Sequence, residues 1–407
     1  MKRKTLVCLS LIAFVMSFSA LHAQTFSVIH NFIASGVDGA FPEAGVTLHN
    51  GSLYGTTSAG GMHGSGVVYQ VNPSGDGWLT FPIYYFQGGN DGLSPIARIV
   101  FGPDGTPYGT ASLGGPYWGT AFNLTISPTI CKAVRGCGWD YNILHEFMNG
   151  DSDGAQPSYG DLLFDQAGNI DGTTFQGGPG LHGTVYQLAR SGNTWNESIL
   201  HFFAGAPDDG ASPQNGVISD ANGNLFGTTA VGGQYNSGTV FELMYVNGQW
   251  TEKILYSFQN GSDGSFPVAG LMFDKVGNLY GAAAVGGSAG GGNIFELSPV
   301  GDTWTFNVLY SFSGGPGGCG PNATLTMDNA GSLYGTTYCD GSLSAGNVFK
   351  LTNTGNGWNY SSLHDFTGRP DGRFPISNVS IDTDGTLYGT TKEGGSNGLG
   401  VLWMIKP

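Results

Sequence analysis

The sequence predicts an all-β fold, a seven-bladed β-propeller of four-stranded antiparallel blades, on three observations. One block of sequence recurs seven times along the chain. Each copy holds four short strand-like runs bounded by turn signals. The seventh copy lacks its fourth run, and a matching run stands near the start of the chain.

The clearest copy covers residues 254–304, and three anchors trace it through the rest. The first is a LYGTT-like run at Leu53–Thr57, Pro107–Ala111, Ile170–Thr174, Leu225–Thr229, Leu279–Ala283, Leu333–Thr337 and Leu387–Thr391. Its glycine is present every time: Gly55, Gly109, Gly172, Gly227, Gly281, Gly335 and Gly389. The second is a later run with a central aromatic: Tyr69, Phe122, Tyr186, Phe241, Phe295, Phe349 or Trp403. The third is a tryptophan opening the next run, at Trp78, Trp139, Trp195, Trp250, Trp304 and Trp358.

We name the four runs A to D. Run A is short and apolar, as in Gly270–Phe273, and should line a central channel. A DxxGN turn such as Asp274–Asn278 leads to B, where glycine supplies the positive φ of a tight hairpin. A Gly-rich loop leads to C, and a short polar turn leads to D, as in Trp304–Phe312. Phe26–Phe32 has the D pattern and precedes the first A. That strand is expected to complete the last blade and close the ring, leaving no unpaired end strand.

Composition agrees. The 407 residues include 71 glycines, yet 40% of the chain is hydrophobic and 13% aromatic. Such a chain can bury a core, so the glycines belong to turns rather than to disorder. Residues 1–23 read as a signal peptide: Lys2, Arg3 and Lys4, an apolar run over 6–18, and a cleavage site after Ala23. Residues 24–407 then form a single propeller domain with no membrane span, secreted or held in the periplasm or at the cell surface. The net charge is −15, and loss of the basic leader makes it more negative. That argues against nucleic acid or an anionic membrane as a partner and favours cations, or neutral or basic ligands. The chain is expected to act as a monomer.

Four cysteines remain after the leader: Cys131, Cys137, Cys319 and Cys339. An even count outside the cytoplasm predicts two disulfides. Cys319 lies just before A and Cys339 just after B of the sixth copy, adjacent ends of an antiparallel pair. Cys131 and Cys137 would close a small loop in the second copy. No CxxC pair occurs, and neither pair is read as a redox or zinc site.

The LYGTT, Gly-Gly and Gly-Val-Phe-x-Leu spacing resembles the GloVer-repeat, "choice-of-anchor" tandem-repeat family of exported bacterial proteins, over almost all of residues 26–407. The resemblance implies export and carries over no catalytic residue. A chain ending at Trp403–Pro407 in a propeller strand is expected to be freely secreted rather than anchored.

Candidate site residues lie on the face formed by the D–A and B–C loops. Six D–A loops carry an aspartate four residues before a proline: Asp38, Asp91, Asp153, Asp209, Asp263 and Asp371; the sixth copy has Gly317 instead. They read first as turn-forming residues and second as a cation ring, calcium being the ion such carboxylates could take. No cofactor and no metal are otherwise expected. At the start of A stand Gly45, Arg98, Gly160, Gly216, Gly270, Thr324 and Asn378. Arg98 departs from the pattern, with Glu43, Tyr159, Asp161, Asn215 and Asn322 nearby. It could hold an anionic group, or pair with Glu43 or Asp161. Tyr117 and Trp118, in the B–C loop of the second copy, could stack on a sugar ring or plug a long loop.

No HExxH or P-loop motif occurs. The sequence therefore favours a noncatalytic binding or scaffold propeller, for carbohydrate or a cell-envelope partner. The alternative is a carbohydrate-active enzyme, a polysaccharide lyase or glycoside hydrolase, with its site at the channel mouth. That alternative rests on fold analogy.

Overall fold

The computed structural model describes residues 24–33, 38–114, 118–127, 138–192, 194–314 and 319–407. The predicted leader, Tyr117, Cys131, Cys137 and Gly317 lie outside the described residues. Seven four-stranded antiparallel sheets form the blades, with A innermost and D outermost. In blade 5 the strands are Met272–Phe273, Leu279–Ala283, Asn293–Val300 and Thr303–Ser311. Blade 7 runs Ser380–Ile381, Leu387–Thr391 and Val401–Lys406, and its D strand is Thr25–Asn31 from the start of the chain. Thr25 pairs with Lys406 and Asn31 with Val401.

The first two anchors are one packing unit. The B-strand glycine stands opposite the C-strand aromatic in register, as Gly281 does opposite Phe295. A Cβ on Gly281 would lie 2.4 Å from Phe295 Cζ, and one on Gly389 would lie 2.3 Å from Trp403 Cζ2. Only glycine lets the ring lie flat over strand B. The A–B turn is equally local: Asp274 Oδ1 accepts from the Val276 and Asn278 N–H groups, both at 2.9 Å, and Gly277 takes φ +96°.

The seams between blades are aromatic. Every D strand is followed by a buried phenylalanine: Phe32, Phe86, Phe147, Phe203, Phe258, Phe312 or Phe366. Each meets the C-strand aromatic of the next blade, as Phe258 meets Phe295 at 5.4 Å and Phe312 meets Phe349 at 5.2 Å. Such pairs contribute about 1 kcal/mol each beyond the area they bury. The D-strand tryptophan closes the outer part of the seam: Trp304 packs on Phe226, and Trp358 on Tyr280, of the preceding blade.

Strand A is shorter than the sequence suggested, two residues in six blades and three in the first. The carbonyls of the residues before it are used across the seam. A strand-B threonine of one blade donates to the next blade: Thr56 to Ala97 O, Thr228 to Ala269 O and Thr336 to Ser377 O, at 2.8–3.0 Å.

Candidate functional site

The D–A and B–C loops join on one face and build its rim. Phe41, Ser94, Gln156, Ser212, Phe266 and Phe374 each precede a proline and hold φ between 57° and 59°. Left-handed backbone is costly for such side chains and persists only when its surroundings fix it. Here both peptide groups are used. Phe266 N–H donates to Ser237 O of the preceding blade at 3.0 Å, and its carbonyl accepts from Ala284 N–H at 3.1 Å. Phe41, Ser94, Gln156, Ser212 and Phe374 repeat the arrangement. The rim is thus stitched blade to blade by main chain.

Two-residue ribbons also tie D–A loops to B–C loops, pairing Ala40 with Ala59, Ala155 with Gln176 and Ala211 with Val231. In blade 6 the corresponding residues are Cys319 and Cys339, which form a disulfide with Cα atoms 4.6 Å apart. The covalent link stands where other blades use a ladder pair, in the blade that has Gly317 for the aspartate.

The aspartates hold their own turns. Asp153 accepts from Met148 N–H at 2.7 Å and Gly154 N–H at 2.6 Å, and Asp209 accepts from Ala204 and Gly210 at the same distances. Each also meets the D-strand His or Tyr before it: His30 with Asp38, Tyr84 with Asp91, His145 with Asp153, His201 with Asp209, Tyr256 with Asp263 and His364 with Asp371.

Inside the rim lies a cavity of about 350 Å³ at the channel mouth, lined by Glu43, Arg98, Tyr159, Asp161, Asn215, Asn322 and Asn378 among others. Arg98 Nε donates to Asp161 Oδ2 at 2.9 Å, and a second guanidinium nitrogen bonds the same oxygen. With its amide oxygen turned inward, Asn378 accepts from the same guanidinium at 2.9–3.2 Å. Gly45 makes room: a Cβ there would lie 2.4 Å from Asn378 Oδ1. Glu43, buried, accepts from Tyr159 Oη at 2.9 Å and Ser58 Oγ at 3.0 Å, with Lys392 Nζ 3.4 Å away. Burial and the Glu43 carboxylate raise the Tyr159 phenol well above its ordinary range, so it stays protonated.

One assignment of level needs correction. The segment from Asp153 to strand A of blade 3 is one residue longer than its counterparts. Counting back from the strand puts Asp161, not Gly160, level with Arg98. The two are therefore neighbours across one seam. The insertion also leaves the buried Thr110 hydroxyl without the cross-seam partner its equivalents have.

Trp118 is 42% exposed on its B–C loop and does not line the cavity. The sequence reading missed Gln214 and the apolar wall of Ile96, Phe266, Val268, Tyr338 and Ile376, and Lys392 beside Glu43. The column just after each rim proline holds Glu43, Ile96, Ser158, Gln214, Val268, Asn322 and Ile376. Reading that column across the blades would have found most of them.

Several solved structures share the fold. The extracellular domain of a hybrid two-component system from B. thetaiotaomicron aligns over 93% of this chain and 39% of its own, at 10% identity and TM-score 0.58. A Bacteroides uniformis protein assigned as a 6-phosphogluconolactonase aligns over 85% and 89%, at 15% identity and TM-score 0.53. An ulvan lyase aligns over 92% and 95%, at 10% identity and TM-score 0.51. At these identities the likeness is one of fold alone. Among curated protein sequences none matches this chain. The Gloeobacter/Verrucomicrobia repeat pattern matches residues 129–318 and 244–407, more than half the length. With the repeat, the ring and the matched span in agreement, the chain belongs to the Gloeobacter/Verrucomicrobia repeat family.

Proposed function

We propose that this is an exported, noncatalytic binding propeller whose channel mouth takes the neutral end of a glycan. The observation that carries the reading is how the polar groups of the mouth are used. Its charges are spent on one another: Arg98 on Asp161 and Asn378, Glu43 on Tyr159, Ser58 and Lys392. Its unspent groups are amides. Gln214 and Asn322 have no hydrogen-bond partner among the described residues. An amide offers donors and an acceptor together, which suits a sugar hydroxyl. Between and beside them Phe266, Val268, Tyr338 and Ile376 offer the apolar surface that a ring face needs. A disulfide in blade 6 suits an oxidising compartment.

A phenolic base needs a lowered pKa, and Tyr159 is pushed the other way. Native electrophoresis of residues 24–407 through gels holding different polysaccharides tests the proposal, with the buffer assayed for released sugar. Retardation by a neutral polymer without product, weakened by Gln214→Ala with Asn322→Ala, is the expected result. Retardation with product would replace it by the enzyme reading. No retardation on any polymer would refute the glycan ligand and leave protein docking.

A further inference from the structure

The outer seams repeat one contact. At six of the seven seams the D-strand His or Tyr of one blade faces the second residue after the tryptophan column, or its equivalent, on the next blade's D strand. At four seams two rings stack there: Tyr84 on Tyr141 at 4.5 Å, Tyr256 on Phe306 at 4.0 Å, Tyr310 on Tyr360 at 4.7 Å and His364 on Phe26 at 3.6 Å. At two successive seams the second ring is replaced by a carboxylate. Glu197 of blade 3 faces His145 and Asp153, and Glu252 of blade 4 faces His201 and Asp209.

We propose that these two seams are built sites for a zinc-class divalent cation, each held by one imidazole and two carboxylates and completed by water. The ligand atoms of each trio lie within 4.8 Å of one another. A tetrahedral ion with bonds of about 2 Å sets its ligands about 3.3 Å apart. His145 Nε2 is 3.3 Å from Asp153 Oδ1 and 3.4 Å from Glu197 Oε1. His201 Nε2 is 3.2 Å from Asp209 Oδ2 and 3.9 Å from Glu252 Oε2.

Seams without the glutamate provide the comparison. There the His–Asp contact is an ordinary short hydrogen bond, 2.8 Å for His30 and 2.9 Å for His364. With the glutamate present it opens to 3.2–3.3 Å, leaving room among three ligands. Glu197 Oε1 and Glu252 Oε1 are also buried without any hydrogen-bond partner. A buried carboxylate with an unused oxygen, set against a second carboxylate, is stabilised by a cation held between the two. Imidazole in the set selects a transition metal over calcium. Backbone N–H groups of Gly154 and Gly210 orient the aspartates behind the site. The ion would cross-link blade 2 to blade 3 and blade 3 to blade 4, whatever ligand the mouth takes. No spacing motif announced it, because the three ligands come from separate columns of the repeat.

The metal-free chain titrated with Zn²⁺ by calorimetry, and with Co²⁺ by visible absorption, tests this. The expected result is two equivalents per chain, one for each trio, with the intense absorption of tetrahedral cobalt and a Zn²⁺-dependent rise in thermal stability. E197Q and E252Q should each lose one equivalent and the double variant both, while H364Q keeps two. Should E197Q fail to fold, H145Y with E197F, which copies the Tyr256–Phe306 seam, must lose one equivalent. Absence of stoichiometric uptake, or uptake surviving in the double glutamine variant, would overturn the proposal and leave each glutamate holding a proton.

Discussion

Asp171 breaks the repeat in a way that a pH experiment can read. It occupies the strand-B column that holds Tyr54, Tyr108, Phe226, Tyr280, Tyr334 and Tyr388 in the other blades. The residue is 2% exposed. Gln187 Nε2 donates to its Oδ1 at 2.9 Å, which relieves part of the cost. Burial dominates, Asp165 adds to it, and the carboxyl is pushed from its ordinary 3.8 to about 6. At about 1.4 kcal/mol per pH unit this amounts to about 3 kcal/mol. In the unfolded chain the group ionises near pH 4, whereas the folded chain holds the proton to about pH 6. Its contribution is therefore intact below pH 4, falls between pH 4 and 6, and is lost above. Asp171→Asn copies the protonated shape and keeps the Gln187 bond. It should match the wild type near pH 4 and be more stable by up to about 3 kcal/mol near pH 7. Urea unfolding of both proteins at the two pH values measures this, since other titrating groups cancel in the difference. An advantage that is equal at both pH values, or absent at neutral pH, would refute the reasoning.

Gly281→Ala should destabilise by about 1–3 kcal/mol, because the new Cβ meets a buried ring that has nowhere to move. Adding Phe295→Leu should recover part of that loss, measured as a coupling energy by denaturant unfolding. Cys319→Ser with Cys339→Ser, whose bond closes a 20-residue separation, should cost about 3 kcal/mol. The variant should then match the wild type unfolded in the presence of reductant. Deleting Thr25–Asn31 should expose the edge of Val401–Lys406 and yield dimers or larger species by size-exclusion chromatography. A synthetic peptide of residues 24–33 should restore the monomer.

The ring was legible because its signals are local and repeated. The Gly281–Phe295 pair is visible as two anchors at constant spacing, and the run at Phe26–Phe32 announced its place in blade 7. Cys319 and Cys339 were readable as a pair from their positions flanking A and B. The left-handed rim was not legible. Phe41, Ser94 and Gln156 share no side-chain chemistry, and what they share besides a following proline is the use of both peptide groups. The cavity was half legible. Arg98 and Glu43 stood out as charges among small residues, whereas Gln214 and Ile96 are ordinary residues until their column is placed on a circle. Glu197 and Glu252 were invisible as a pair with His145 and His201, because contact across a seam joins different columns of successive repeats.

The shared last blade also governs how the molecule can be made. Blades 1 to 6 join strands close in sequence and can form one after another. Blade 7 cannot: Thr25 waits for Lys406 from the far end of the chain. Its formation carries the largest loop-closure entropy in the molecule and comes late, as a single cooperative event. Before that event the open arc presents two complementary sticky ends, and two arcs meeting end to end would exchange strands instead of closing. At high concentration the race between closing on itself and joining a neighbour decides whether the product is one ring or a swapped pair.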